Sequence, residues 1–295
     1  MIFEVTHTTD YRYSSTASES VGELRVFPVD DENQTVSRRL LEIHPQVEVD
    51  SYTDYYGNRA EWFAVPFRHE RLTIRSSSLV VTTPSIFPQP CLELSVAETR
   101  QIARKQHALY DFLAPSRRVP QSVALHLGGR HLLAPATSIE EAVVRLNEWI
   151  HDNFEYQSGA TEVDTPLSKV IEQRKGVCQD FSHLMLAILR SAGIPCRYVS
   201  GYIEPFDPTS EAEDRAALIG AAASHAWVEV WLSGGHWAGF DPTNRQRAGE
   251  RHIRVAVGRD YSDVPPFRGT FKGAVGHNLR VEVEIKRPEV SKAAE

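Results

Sequence analysis

Six short segments in which apolar and polar residues alternate fill the first 82 positions, and after them the period changes. Ile2 to His7, Gly22 to Phe27, Arg39 to His44, Gln46 to Ser51, Ala60 to Val65 and Leu72 to Thr82 are rich in β-branched and aromatic residues. Turn-forming stretches such as Asp30-Asp31-Glu32-Asn33 and Tyr56-Gly57-Asn58 separate them. A period of two sends alternate side chains to opposite faces, which suits a half-buried strand and not a helix. Short strands at near-regular spacing predict a β-sandwich-like or barrel-like amino-terminal domain. The proline-bearing run from Thr83 to Pro90 predicts a boundary, with residues 1–90 in the β-rich domain and 91–290 in a second one.

Beyond the boundary the pattern is mixed, so the fold class is α+β. Leu94 to Leu109 has helical character, and Ala114 to Pro135 reads as irregular. Ser138 starts a helix, with Glu141 placed for a capping box and Ala142, Val143, Leu146, Trp149 and Ile150 at helical spacing. Thr165-Pro166 opens another, running to about Gln173. The loop Arg174-Lys175-Gly176-Val177-Cys178 then feeds a helix of about 15 residues, with Gly193 as its left-handed cap. Strands return at 197–204, 225–232, 236–240, 253–257 and 279–285, with a loop through Tyr261, Pro265, Pro266 and Gly269. Pro205 to Ala223 reads as a mobile excursion, the acidic run Glu204 to Asp214 as a solvated loop, and Arg287 to Glu295 as a frayed end.

Composition excludes several classes. Apolar residues make up 41% of the 295 and charged residues 24%, ordinary for a globular chain. The net charge of −7 comes from 39 acidic and 32 basic residues without a basic stripe, which argues against a nucleic-acid partner. No window approaches the roughly 18 apolar residues of a membrane span. The amino terminus reads as a strand rather than a secretion signal, and three cysteines are too few for a disulfide framework, so a reduced cytoplasmic setting is expected. Nothing in the chain specifies an oligomeric state.

Three residues carry chemistry. Cys178 stands at the first turn of its helix, where unpaired N–H groups and the helix dipole favour a thiolate and an oxyanion. On that context alone it is equally a small buried apolar residue. His225 opens the alternating run Ser224-His225-Ala226-Trp227-Val228-Glu229-Val230-Trp231, at the rim of a sheet. Alone, it reads more readily as a surface histidine. Asp241 ends the next strand, and the hairpin turn Ser233-Gly234-Gly235 brings it back beside His225. Alone it is an aspartate before proline at a turn. Their coincidence is what argues for a site.

The runs Gly176-Val177-Cys178-Gln179-Asp180-Phe181-Ser182-His183, Ser224-His225-Ala226-Trp227-Val228-Glu229 and Phe240-Asp241-Pro242-Thr243 resemble the three active-site blocks of the transglutaminase-like superfamily, in the family's order. The amino-terminal half and Gly258-Arg259-Asp260-Tyr261-Ser262-Asp263-Val264-Pro265-Pro266 resemble bacterial members. The resemblance implies a papain-like core, a nucleophile helix packed on an antiparallel sheet. It also implies a triad of Cys178, His225 and Asp241 that cleaves amide or peptide bonds through an acyl-enzyme. The substrate would be a peptide, a protein or a small amide. The same acyl-enzyme serves hydrolysis and amine transfer (transglutamination); hydrolysis is the reading preferred here, since no amine tunnel is recognisable. A non-catalytic binding protein on this fold is the alternative from another class.

Tyr156 and Gln179 are candidate oxyanion or substrate-binding residues, each with a bland counterpart as a packed aromatic and a solvent-facing polar residue. Asp180 offsets the helix dipole, and Trp227 and Trp231 read as core. No cofactor is implied. Cys178 and His183 lie five residues apart, roughly 140° around a helix, so no shared metal ion is expected.

Overall fold

The computed structural model describes residues 1–127, 129–134, 136–205, 218–220 and 223–288. The alternating amino-terminal segments become β1 (Ile2–Ala17), β2 (Glu19–Leu24), β3 (Gln34–His44), β4 (Val49–Thr53), β5 (Arg59–Val65) and β6 (His69–Thr82). Among the described residues eight short or medium α-helices follow: α1 (Gln89–Glu93), α2 (Val96–Ala103), α3 (Tyr110–Leu113), α4 (Gln121–His126), α5 (Gly129–Leu133), α6 (Ile139–Asn153), α7 (Leu167–Gln173) and α8 (Cys178–Ser191). Strands β7 (Glu155–Tyr156) and β8 (Lys175–Gly176) are interspersed. The chain ends with β9 (Cys196–Ile203), β10 (His225–Leu232), β11 (His236–Asp241), β12 (Gln246–Arg247), β13 (His252–Gly258), β14 (Phe267–Lys272) and β15 (His277–Lys286).

Two four-stranded antiparallel sheets, in the orders β15-β1-β6-β3 and β14-β2-β5-β4, form the β-rich unit. Leu24, Phe63 and Val65 of one sheet and Ile43, Leu72 and Ile74 of the other share an apolar cluster. The alternation of β1 buries Phe3, Val5, His7 and Thr9 on one face. Phe3 and Val5 of that face, with Val36 and Val80, join the core of the second unit instead. One sheet thus covers both its partner sheet and the neighbouring unit.

The division at residue 90 is corrected by the last two strands. Phe267–Lys272, which takes in the end of the loop expected through Gly269, pairs with β2, and β15 pairs with β1, so both ends of the chain build the β-rich unit. Without them, β1 and β2 would present bare N–H and C=O groups along open edges. Glu204, expected in a solvated acidic loop, is buried and takes a bidentate bond from Arg287 at 2.7 and 2.7 Å, which also anchors a residue expected to fray. The remainder of the expected excursion, 206–217 and 221–222, and the expected frayed end at 289–295 lie outside the described residues.

In the second unit α8 is the central element. Its residues from Asp180 to Arg190 are buried, and α4, α5, α6 and α7 pack around it, with β9 and β10 behind. The supporting sheet is antiparallel throughout, in the order β12-β11-β10-β9-β13. Two departures from the sequence pattern have local causes. The stretch expected to be irregular holds α4 and α5, short helices fastened by buried Val119, Val123 and Leu133 rather than by propensity. Ser138 caps α6 by accepting from the Glu141 N–H at 3.1 Å, but the Glu141 carboxylate turns to the Thr137 N–H at 2.7 Å, one residue before a reciprocal box. No helix among the described residues is long and apolar enough to cross a membrane.

The two units are joined by buried polar contacts. Asn58 donates to the Val257 carbonyl at 2.8 Å and accepts from the Val257 N–H at 2.7 Å. Arg254 on β13 pairs with Asp31 at 2.6 Å and with Glu229 on β10 at 3.0 Å, and Glu229 also pairs with Arg197 at 2.6 Å.

Candidate active site

Gly176, Val177 and Asp180 set the start of α8. The Asp180 carboxylate accepts from the Val177 N–H at 2.9 Å and from the Thr161 hydroxyl at 2.6 Å. Burial raises its pKa against those two bonds, so it is a buried cap rather than an exposed charge on the dipole. A Cβ on residue 176 would stand 2.9 Å from an Asp180 carboxylate oxygen and 3.0 Å from its Cβ. Glycine is therefore required at 176 for contact with Asp180, not for an unusual dihedral. Gly176→Ala should lower stability by about 1–3 kcal/mol through this overpacking, read as a shifted urea midpoint. An unchanged midpoint would mean that Asp180 moves aside freely.

Cys178 begins α8 and is half-buried. The N–H groups of Cys178 and Gln179 occupy the first turn, where the helix supplies no acceptor. His225 begins β10 and lies fully buried at the rim, across from Gly201 of β9. Its Nε2 is 2.8 Å from Asp241 Oδ2. The β10–β11 register, with Val228 opposite Phe240, makes this a diagonal contact across the end of the hairpin. The turn predicted at Ser233-Gly234-Gly235 is present, with φ of 83° and 90° at its two glycines.

Asp241 is completely buried and saturated with donors. Oδ1 accepts the N–H groups of Thr243 at 3.0 Å and Asn244 at 3.2 Å. Oδ2 takes His225, the Asn244 amide at 2.8 Å and His252 Nε2 at 3.2 Å. Burial alone would raise its pKa, but the two histidines hold it far below the usual carboxylate range. Burial works against charge on His225 too, yet Asp241 and then Cys178 push it up to about 10. His225 Nδ1 is buried and makes no formed hydrogen bond. Cys178 acts on the ring through its charge and its hydrogen-bonding capacity.

Gly220 presses on the same nitrogen. With φ of +92° it lies so close that a Cβ there would be 2.6 Å from His225 Nδ1. Asn244 ties the neighbouring Ile219 at both backbone atoms, at 2.8 and 3.2 Å, while also bonding Asp241.

Of the two supporting candidates, Tyr156 pairs in parallel with Gly176, and its phenol is pushed up by burial and then by the Cys178 charge. The Gln179 amide instead donates to the Val163 carbonyl at 3.2 Å, so it is tied to a neighbouring loop. Trp227 and Trp231 are buried core. His183 accepts from the Tyr261 N–H at 3.2 Å, and the Cys196 thiol donates to the Leu186 carbonyl at 3.7 Å, so neither converges with Cys178. His225, His252 and Asp241 do bring ligand-type atoms within 4.8 Å of one another. The gaps of 2.8 and 3.2 Å are hydrogen-bond lengths, and an ion held at about 2 Å from each nitrogen would have to displace both protons.

His252 and Asn244 are not singled out by the sequence pattern. The available signal was positional: His252 precedes the strand at 253–257 as His225 opens its own.

Residues 129–242 match the model of the transglutaminase-like superfamily, and residues 3–81 that of the bacterial transglutaminase-like N-terminal region. An uncharacterized protein of Mycobacterium leprae is 36% identical over 290 residues, covering 96% of this chain and 98% of its own. A protein-glutamine gamma-glutamyltransferase of Pseudomonas aeruginosa is 33% identical over 101 residues, only 33% of this chain and 14% of that one. Among solved structures, a protein of Cytophaga hutchinsonii provisionally described as a cysteine protease superposes with a TM-score of 0.77 at 23% identity, covering 98% of this chain and 92% of that one. That likeness establishes the fold. With both family models matched in order, the chain belongs to the transglutaminase-like superfamily.

Proposed function

We propose that the protein is a thiol-dependent acyl-transfer enzyme, a cysteine peptidase or amidase, with Cys178, His225 and Asp241 as its triad. The observation that carries this is the division of His225. One nitrogen is bound to a buried carboxylate, the other is buried without a formed bond, and Cys178 acts on the same ring. Such a ring can take the thiol proton at Nδ1 while Asp241 stabilises the resulting imidazolium. A catalytic hydrogen bond that is long in the free enzyme tightens when substrate binds.

In this reading the Cys178 thiolate attacks an amide carbonyl, and the first-turn N–H groups stabilise the oxyanion, with the Tyr156 phenol as a further donor. His225 returns its proton to the leaving amine, and water, activated by the same ring, releases the acid. Gln179 acts as a donor only if its bond to Val163 is exchanged for substrate. Amine transfer from the same acyl-enzyme is the second reading, supported by the likeness to the Pseudomonas gamma-glutamyltransferase.

Incubation of the protein and Cys178→Ala with a panel of peptides and small amides, with and without a primary amine, distinguishes these by mass spectrometry. Acid products that vanish in the variant are expected. Amine adducts formed in preference to acid would move the assignment to transfer, and a parent protein with no turnover and an unreactive Cys178 would sink both.

A further inference from the structure

We propose that His252 is a positioning residue for this site: a neutral imidazole that donates a hydrogen bond to Asp241 and so moderates the hold of that carboxylate on His225. The inference rests on the thiol–imidazole reading above. It concerns a residue beyond position 242, where the match to the superfamily core ends.

The tautomer follows from the partners. The Gly249 N–H points to His252 Nδ1 at 3.2 Å, so Nδ1 is an acceptor and carries no proton. The proton of the neutral ring is then on Nε2, 3.2 Å from Asp241 Oδ2. That oxygen is the one His225 uses at 2.8 Å, so two imidazoles compete for a single acceptor.

Packing keeps the ring in this role. It meets Trp227 edge to face at 5.2 Å, and the same indole lies 6.3 Å from the His225 ring. The charged groups that reach it are Asp241 from β11, His225 from β10 and Arg251 from the preceding turn; its partner on β9 is the apolar Ile203. Burial, opposed by Asp241 but reinforced by the two cations, holds its pKa below the ordinary value, so it remains uncharged.

Neutrality is what makes the donor useful. An arginine or lysine here would satisfy Asp241 equally well but would place a second cation beside the imidazolium and expel its proton. A neutral N–H instead spreads the carboxylate's charge over another bond. Asp241 stays ionised and aligned, and His225 is held less tightly than an undivided carboxylate would hold it. Since His225 must surrender its proton to a leaving amine, a weaker hold favours that step.

The test is histidine 15N NMR across the alkaline range on the full-length protein, His252→Phe and His252→Gln, with iodoacetamide labelling of Cys178 at pH 6 in parallel. In the parent, His252 should be neutral and protonated at Nε2 throughout. His252→Phe should move the His225 titration up by about one pH unit, a tenfold gain in proton affinity for one lost charge-assisted bond. His252→Gln, which keeps an N–H donor, should restore most of the shift. With substrate, the alkaline limb of kcat should move likewise while KM holds. A His252 cation in the parent, or a His225 titration unmoved or lowered in the phenylalanine variant, would overturn the proposal. If His252→Phe does not fold, the parent tautomer and the glutamine variant still decide. Failure of the parent's Cys178 to label at pH 6 would count against the thiol reading itself.

Discussion

Asp241→Asn should reduce turnover by about four orders of magnitude while leaving the fold in place. The carboxylate is buried among five donors, two on Oδ1 and three on Oδ2. An asparagine can keep its carbonyl toward Thr243 and Asn244, but its amide then points N–H at N–H toward His225 and His252. The His225 ring is driven to the other tautomer, with its proton on Nδ1. A ring protonated there no longer accepts the Cys178 proton, so the loss falls on kcat and on low-pH alkylation of Cys178 together.

The same substitution has a signature in stability. The folded pKa of His225 is raised, to about 10 from an ordinary 6.5, so the charged ring contributes fully below 6.5 and loses its contribution as pH rises toward 10. Denaturation of the parent should therefore show stability falling across that window, with a flatter dependence in Asp241→Asn. Equal slopes, or turnover within tenfold of the parent, would show that Asp241 does not govern the charge on His225.

Local pattern carried the legible part of this molecule. Period two exposed β1, β5, β6, β10 and β11, and a glycine before a cysteine at a helix start marked the beginning of α8. Hairpin geometry brought His225 to Asp241, because only three residues separate their strands. What local pattern does not encode is who completes a sheet. Phe267–Lys272 follows two prolines and holds Gly269, so its start reads as loop, and only the waiting edge of β2 makes it a strand. β1 likewise runs past Tyr13, where its pairing with β15 ends, to Ala17, which meets His69 of β6 beyond a register shift. His252 was hidden for the same reason: its strand reaches Asp241 through β9 and β10, across a register no local window contains.

Those long-range joints are also where the largest stability loss is expected. Glu229 is buried on β10, four residues from His225, between Arg197 and Arg254. Burial raises its pKa, but the two guanidinium groups overcome that and hold it ionised. In Glu229→Gln, Arg254 retains Asp31, whereas Arg197, stacked 4.3 Å from the Trp237 ring, loses its anion. Leaving this half-buried arginine without its partner should cost about 3 kcal/mol, the low end for a buried pair, visible as a lower urea midpoint with the slope preserved. The pH dependence gives the sign independently. A carboxylate with a depressed folded pKa stabilises above its unfolded value of about 4.3 and loses that contribution as pH falls through the folded one, so the parent should weaken on acidification more steeply than the variant. Glu284→Gln, which removes an exposed partner of Lys286, should leave the midpoint where it was. Were both variants equally mild, the Arg197–Glu229–Arg254–Asp31 chain would be no more than surface decoration on a joint held by Asn58 and apolar packing. A large loss at Glu229 alone would make that ionic chain the fastening that keeps the His225 strand against the β-rich unit.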